Sequence, residues 1–121
     1  MAIRKPASIQ KLKKMREKSV EDYLADELRA LGGICVKLNP NWYIGIPDRS
    51  CAALGYVCLV ETKRPKGGRF SVPQKMWKKF CTMAGIPWHL INTHDAVDDF
   101  IWNIRSGQLR NGHTQQTDRA R

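Results

Sequence analysis

The spacing of apolar residues predicts three helices. Between Val20 and Leu31, apolar side chains recur every three to four positions, which is the period of a helix with one buried face. Ser19 is a favourable N-cap for this helix, and Gly32-Gly33 ends it. The same period returns over residues 73–84 and again from Thr93 or His94 to about Ile104.

Short apolar runs between these helices predict four strands. They lie at Ile34–Leu38, Arg49–Ala53, Tyr56–Lys63 and Trp88–Ile91. The third run is apolar on both faces, which favours a covered central strand. A helix, three strands, a helix, a strand and a helix together predict an α/β fold with a mixed β-sheet flanked by helices.

The second and third helices each have a predicted buried face. In the second helix, Lys75, Lys78 and Lys79 are expected to point outward. The residues expected to be buried there are Met76, Trp77, Phe80, Met83 and Ala84. Those of the third helix are Val97, Phe100, Ile101 and Ile104.

Composition and charge point to a polyanionic partner. The 121 residues suit one domain, and 21 Lys and Arg against 11 Asp and Glu give a net charge of +10. Nucleic acid is the simplest partner, and an anionic membrane surface is a weaker alternative. No apolar run reaches the length of a membrane span. We divide the chain into a basic arm (1–18), a globular domain (19–106) and a polar tail (107–121).

The four cysteines predict free thiols. Cys35, Cys51, Cys58 and Cys81 include no Cys-x-x-Cys pair, and the histidines are not spaced to complete a zinc site. We therefore expect reduced cysteines in a cytoplasmic protein.

The candidate chemistry lies in acidic residues at the ends of predicted elements. A turn, Gly45-Ile-Pro-Asp48, presents one carboxylate, and Glu61 and Lys63 share one side of the following strand. The first helix offers Glu21 or Glu27 at the edges of its apolar stripe. Two charges about 4 Å apart repel by about 4 kcal/mol at an effective dielectric constant of roughly 20. Three convergent carboxylates would therefore take up protons or bind a hard cation, Mg²⁺ or Mn²⁺.

A metal held by carboxylates suits phosphodiester hydrolysis. Neighbouring carboxylates favour the charged form of Lys63, so we expect it to orient the attacking water and to stabilise the negative charge that develops. The backbone carbonyl of Thr62 is a candidate additional ligand.

These residues, in this order, resemble a known family. Glu21, Gly45-Ile-Pro-Asp48, Glu61-Thr-Lys63 and Gln74 are similar to the motifs of the VRR-NUC branch of the PD-(D/E)XK nucleases. The resemblance implies a restriction-endonuclease-like core, with Glu21, Asp48 and Glu61 as metal ligands, Lys63 as a catalytic residue and Gln74 in support. It also favours Glu21 over Glu27.

The resemblance further implies a substrate and an assembly. Small stand-alone members of the family are often phage-encoded homodimers that act on branched DNA such as four-way (Holliday) junctions. A phage protein acting in the cytoplasm of an infected bacterium is therefore expected. A nuclease for duplex, flap or single-stranded DNA, and a non-catalytic basic DNA-binding protein, stay open as alternatives. The residues expected to bind DNA are Lys11, Lys13, Lys14, Lys37, Arg64, Lys66 and Arg69.

Overall fold

The computed structural model describes residues 18–111. In this range the order of elements is the predicted one. The elements are α1 (Val20–Ala30), β1 (Ile34–Lys37), β2 (Arg49–Ala53), β3 (Tyr56–Glu61), a 3₁₀ turn (Lys66–Gly68), α2 (Val72–Ala84), β4 (Trp88–Leu90) and α3 (His94–Arg105). Residues 1–17 of the predicted basic arm and 112–121 of the polar tail lie outside the described residues, so the division into domains stays a prediction.

The four strands form one mixed sheet in the order β1-β2-β3-β4. β1 and β2 are antiparallel, as are β2 and β3, whereas β3 and β4 are parallel. Parallel neighbours need a crossover connection, and α2 provides it. The fold class predicted from the sequence, a mixed sheet with flanking helices, is confirmed.

One face of the sheet carries the core. Along β3, Tyr56, Cys58 and Val60 are buried and face the layer that contains α1 and α3. Cys58 lies beside Cys51, which lies beside Cys35, so that three small side chains cross the sheet in one row. The core also contains Leu24, Leu28, Val97, Phe100, Ile101 and Ile104. The buried face predicted for the third helix is therefore confirmed.

The buried face predicted for α2 is wrong. Only Cys81 is fully buried in this helix, whereas Met76, Phe80 and Met83 are 49%, 49% and 75% exposed. Of the other two residues predicted to be buried, Trp77 is partly buried and Ala84 is exposed. The rotation of α2 follows from its first turn, where the side chain of Gln74 contacts β3. A residue seven positions later lies on the same side of a helix, which places Cys81 inward and turns Met76, Phe80 and Met83 outward.

Strand β3 ends two residues earlier than predicted. Its ladder stops at Glu61 because the next two backbone N–H groups, of Thr62 and Lys63, donate to the side chain of Asp48. A side chain thus replaces the neighbouring strand at this end of the sheet.

Between residues 18 and 111, none of the helices has the length and apolar character that a membrane crossing requires.

Candidate active site

Asp48 is fixed at the point where the loop after β1 enters β2. Its Oδ2 accepts hydrogen bonds from the backbone N–H of Thr62 at 2.9 Å, the hydroxyl of Thr62 at 2.7 Å and the backbone N–H of Lys63 at 3.2 Å. Its own carbonyl accepts from the N–H of Leu38 at 2.8 Å. Asp48 therefore ties the end of β3 to the end of β1.

Glu61 is the last residue of β3 and is only 4% exposed. Its carboxyl group is hydrogen-bonded to Asp48, and the side-chain amide of Gln74 donates to its Oε2 at 3.3 Å. The amide of Gln74 is itself oriented, since its oxygen accepts from the N–H of Ser71 at 2.8 Å in the capping box that starts α2. The side chain of Gln74 therefore both caps the start of α2 and donates a hydrogen bond to Glu61.

The two carboxyl groups share a proton near neutral pH. Burial, and then the neighbouring Asp48, raise the pKa of Glu61 to about 8. Burial alone would raise the pKa of Asp48 as well, but hydrogen bonds from Glu61 and Thr62, together with the charge of Lys63, lower it below its usual value. Glu61 is thus the protonated partner and Asp48 the ionised one.

Gly45 allows the loop that carries Asp48 to approach α2. Its φ of +86° is unfavourable for other residues, and a β-carbon here would lie 2.5 Å from the backbone carbon of Pro73. The glycine of the Gly-Ile-Pro-Asp turn therefore brings the loop against the first turn of α2, where Gln74 lies.

Glu21 is held by a residue that the sequence analysis did not single out. The Nε of Arg49 donates to its Oε2 at 2.7 Å, and the same guanidinium donates to the carbonyl of Cys35 at 3.3 Å. Both side chains of the pair are largely buried. Within the described part of the chain, no three His, Cys, Asp or Glu side chains form a group that could hold a metal ion. The third ligand position of Glu21 stays a prediction.

Exposed basic residues lie in the segment between β3, which ends at Glu61, and α2. Lys63, Arg64, Lys66 and Arg69 are all exposed and follow β3 directly. Lys37, at the end of β1, is also exposed. The remaining residues predicted to bind DNA, Lys11, Lys13 and Lys14, lie outside the described residues.

Comparison with solved structures decides the fold. The chain superimposes on a structure described as a "VRR_NUC domain" with a TM-score of 0.60 and 24% sequence identity, over 69% of this chain and 90% of the other. The chain has the VRR-NUC fold. No protein-family profile matches it, and no curated protein matches it by sequence.

On the VRR-NUC fold, the predicted site residues fall into two groups. Asp48, Glu61, Lys63 and Gln74 come together at the end of β3, whereas Glu21 lies in the ion pair with Arg49. The first group has only oxygen donors for a cation, and two carboxylates that share a proton would release it to a metal. Mg²⁺ is commonly held by one or two carboxylates and keeps several waters, so these residues fit such an ion.

Two contacts of the site were not predicted from the sequence: that of Arg49 with Glu21 and that of the Thr62 hydroxyl with Asp48. Arg49 opens β2, two residues before Cys51, so strand alternation places it on the face against which α1 packs. Thr62 lies between Glu61 and Lys63, and its hydroxyl makes the shortest of the three hydrogen bonds that Asp48 accepts from Thr62 and Lys63. Neither contact can be predicted without knowing that the start of β2 lies against α1 and beside the end of β3.

Proposed function

We propose that this chain is a metal-dependent DNA endonuclease that hydrolyses phosphodiester bonds. The observation that carries the proposal is the contact of the buried Glu61 with the partly buried Asp48, with Lys63 and Gln74 beside them on a VRR-NUC fold. A glutamate buried in contact with a second carboxyl group is costly for stability, which makes a purely structural role a poor explanation.

Asp48 and Glu61 would hold Mg²⁺ or Mn²⁺, with the carbonyl of Thr62 and the carboxylate of Glu21 as further candidate ligands. Such an ion, when bound, supplies a nucleophilic hydroxide at neutral pH and neutralises charge on the phosphate. The contribution of the chain itself is to hold the carboxylates in place. Thr62 and the backbone of Lys63 fix Asp48, and Gln74 fixes Glu61.

Lys63 is the catalytic cation of this proposal. Its side chain is exposed and its charge acts on Asp48. Such a cation would orient the attacking water and stabilise the negative charge of the transition state.

Branched DNA is the substrate that we propose within this class, and a homodimer is the proposed assembly. Support for the dimer comes from the face of the sheet opposite the core, where Ile34, Ala52 and Val57 lie side by side and both Ile34 and Val57 are more than half exposed. A two-fold dimer would present two sites to two symmetric strands. The proposed place of action is the cytoplasm of a phage-infected bacterium, and four buried free cysteines are compatible with its reducing conditions.

The competing function is DNA binding without cleavage. The net positive charge favours DNA binding under either hypothesis, so binding alone does not separate them. A Lys63→Ala variant does, since it leaves every described hydrogen bond of Asp48 in place: Lys63 contributes only its backbone N–H.

The test is cleavage of a labelled four-way junction, with the matching duplex and single strands as controls, in Mg²⁺, in Mn²⁺ and in EDTA. We expect paired nicks in the junction, loss of cleavage in EDTA, and at least a hundredfold slower cleavage by Lys63→Ala with DNA affinity retained. Cleavage of all substrates would support nuclease activity and would contradict a preference for junctions. Binding without cleavage by the wild type would favour the competing function.

A further inference from the structure

The loop that leads into Asp48 carries a row of exposed large side chains. Trp42, Tyr43 and Ile44 are 62%, 66% and 79% exposed. Aromatic residues with this exposure are uncommon on a small soluble domain, and here they stand a few residues before an active-site carboxylate.

This loop is fixed in place. The N–H of Trp42 donates to the carbonyl of Asn39 at 3.0 Å, and the N–H of Ile46 donates to the carbonyl of Tyr43 at 3.2 Å. The ring of Tyr43 packs edge-on against Trp77 of α2, with 5.8 Å between centroids. Beyond them, Gly45 lies against Pro73. The backbone that carries the exposed rings is therefore held by hydrogen bonds, and the ring of Tyr43 also packs against α2.

The charge around the loop identifies what would cover it. Between residues 62 and 93 the chain has seven Lys and Arg and no Asp or Glu. Lys75 and Lys79 are exposed on α2, the helix on which Tyr43 rests. Exposed aromatic rings beside cationic side chains match a nucleic acid strand, whose bases stack on the rings while the cations neutralise its phosphates.

We propose that Trp42 and Tyr43 form a stacking platform for unpaired bases next to the scissile phosphate. This rests on the proposed function and specifies its substrate as DNA in which at least one base near the cut is free to leave its stack. In a fully paired duplex the bases stay stacked on each other, so none is free to stack on Trp42 or Tyr43. Trp42 is the stacking residue, and Tyr43 is held beside it by Trp77.

The test measures binding rather than cleavage, so it does not depend on the enzyme being active. In EDTA, the affinity of the full chain is measured by fluorescence anisotropy for a single strand, for a duplex, and for the same duplex with a short unpaired bulge. We expect Trp42→Leu to bind the single strand and the bulged duplex on the order of tenfold more weakly, with the affinity for the paired duplex unchanged.

Two further variants make the result specific. Trp42→Phe keeps a ring and should retain most of the affinity, whereas an apolar protein interface would accept leucine and phenylalanine alike. Met83→Ala removes a side chain that is 75% exposed and lies beyond Trp77 on α2, and it should bind all three DNAs as the wild type does.

The outcomes separate the alternatives. If Trp42→Leu weakens the binding of all three DNAs equally, or of none of them, the proposed stacking platform is contradicted. If Trp42→Leu sediments as a smaller species than the wild type, the loop is an interface between copies of the chain, and the proposal is overturned in favour of that role. Failure of the wild type to cleave any DNA would remove the proposed function while leaving this binding result intact.

Discussion

Glu61 is a buried acid whose proton makes the stability of the protein depend on pH. Its pKa in the folded state is raised to about 8, whereas an exposed glutamate titrates near 4.5. Between these values the folded state holds a proton that the unfolded state has lost, so stability decreases as pH rises through this window. Each pH unit in it costs up to about 1.4 kcal/mol.

We expect the melting temperature in EDTA to fall from pH 5 to pH 8, and Glu61→Gln to remove most of that fall. Glutamine keeps the size of the side chain and has no proton to lose. The measurement is thermal unfolding of both proteins at several pH values. Parallel curves for the two proteins would mean that the carboxyl groups do not share a proton in the folded state.

The ion pair of Arg49 with Glu21 is a second feature at the scale of single residues. Arg49 is 11% exposed in this pair, so Arg49→Met leaves a carboxylate with little access to water and without its cation. We expect a loss of about 1–3 kcal/mol of stability, measured by urea unfolding.

Two controls accompany this prediction. Arg29→Met breaks an exposed pair with Asp26 and should cost less than about 1 kcal/mol. The double variant Glu21→Gln with Arg49→Met should cost less than the sum of the single changes, since each partner is destabilising mainly when left alone. Strict additivity would show that the contact contributes nothing.

At the scale of elements, the meeting of the Asp48 loop with α2 depends on Gly45. Gly45→Ala adds a β-carbon within 2.5 Å of Pro73 and forces a residue with a side chain into φ +86°. We expect a loss of about 2–4 kcal/mol of stability, together with much weaker cleavage because Asp48 moves away from Gln74.

Gly67→Ala is the matched control, as this glycine has a φ of +61° and open space around its Cα. It should lose only about 1 kcal/mol, which is the cost of the backbone conformation alone. Equal effects of the two alanines would contradict the steric explanation.

Elements also show what the sequence can and cannot predict. Strand β2 was predicted with its observed bounds, and the N-cap Ser19 was identified, because caps and strand patterns are local signals. The inward face of α2 was assigned wrongly, since Met76, Phe80 and Met83 are largely exposed, while Trp77 is partly buried against Tyr43. Periodicity locates a stripe on a helix but does not say whether this chain or a partner covers it.

The site shows the same limit at a finer level. The grouping of Asp48 with Glu61 and Lys63 follows from strand ends that neighbour one another in the chain. The contact of Arg49 with Glu21 joins residues 28 positions apart, and it depends on how α1 crosses the sheet. Packing between elements, rather than pattern within them, decides contacts of this kind.

For the whole molecule, the arrangement of charge predicts a strong effect of salt on DNA binding. Each phosphate neutralised by a lysine contributes about −0.9 to the slope of log K against log salt concentration. Replacing both Lys75 and Lys79 by alanine should therefore make the slope shallower by roughly 2. The measurement is a salt titration of duplex binding in EDTA.

Arg105→Ala provides the control for this titration, because Arg105 is an exposed cation in the last turn of α3, outside the basic stretch that includes α2. It should leave the slope unchanged. A shallower slope with Arg105→Ala, or an unchanged slope when Lys75 and Lys79 are replaced, would contradict the prediction that DNA binds on the side of α2.

The separation of charge between α2 and the other two helices also affects the approach of the protein to DNA. α1 and α3 contain seven acidic residues, Glu21, Asp22, Asp26, Glu27, Asp95, Asp98 and Asp99, and the stretch that includes α2 contains none. A molecule charged in this way has an electric dipole, so the field of a DNA strand turns it while it is still diffusing. The acidic side is repelled, and encounters begin with the Asp48–Glu61 pair already directed at the backbone that it is proposed to cut.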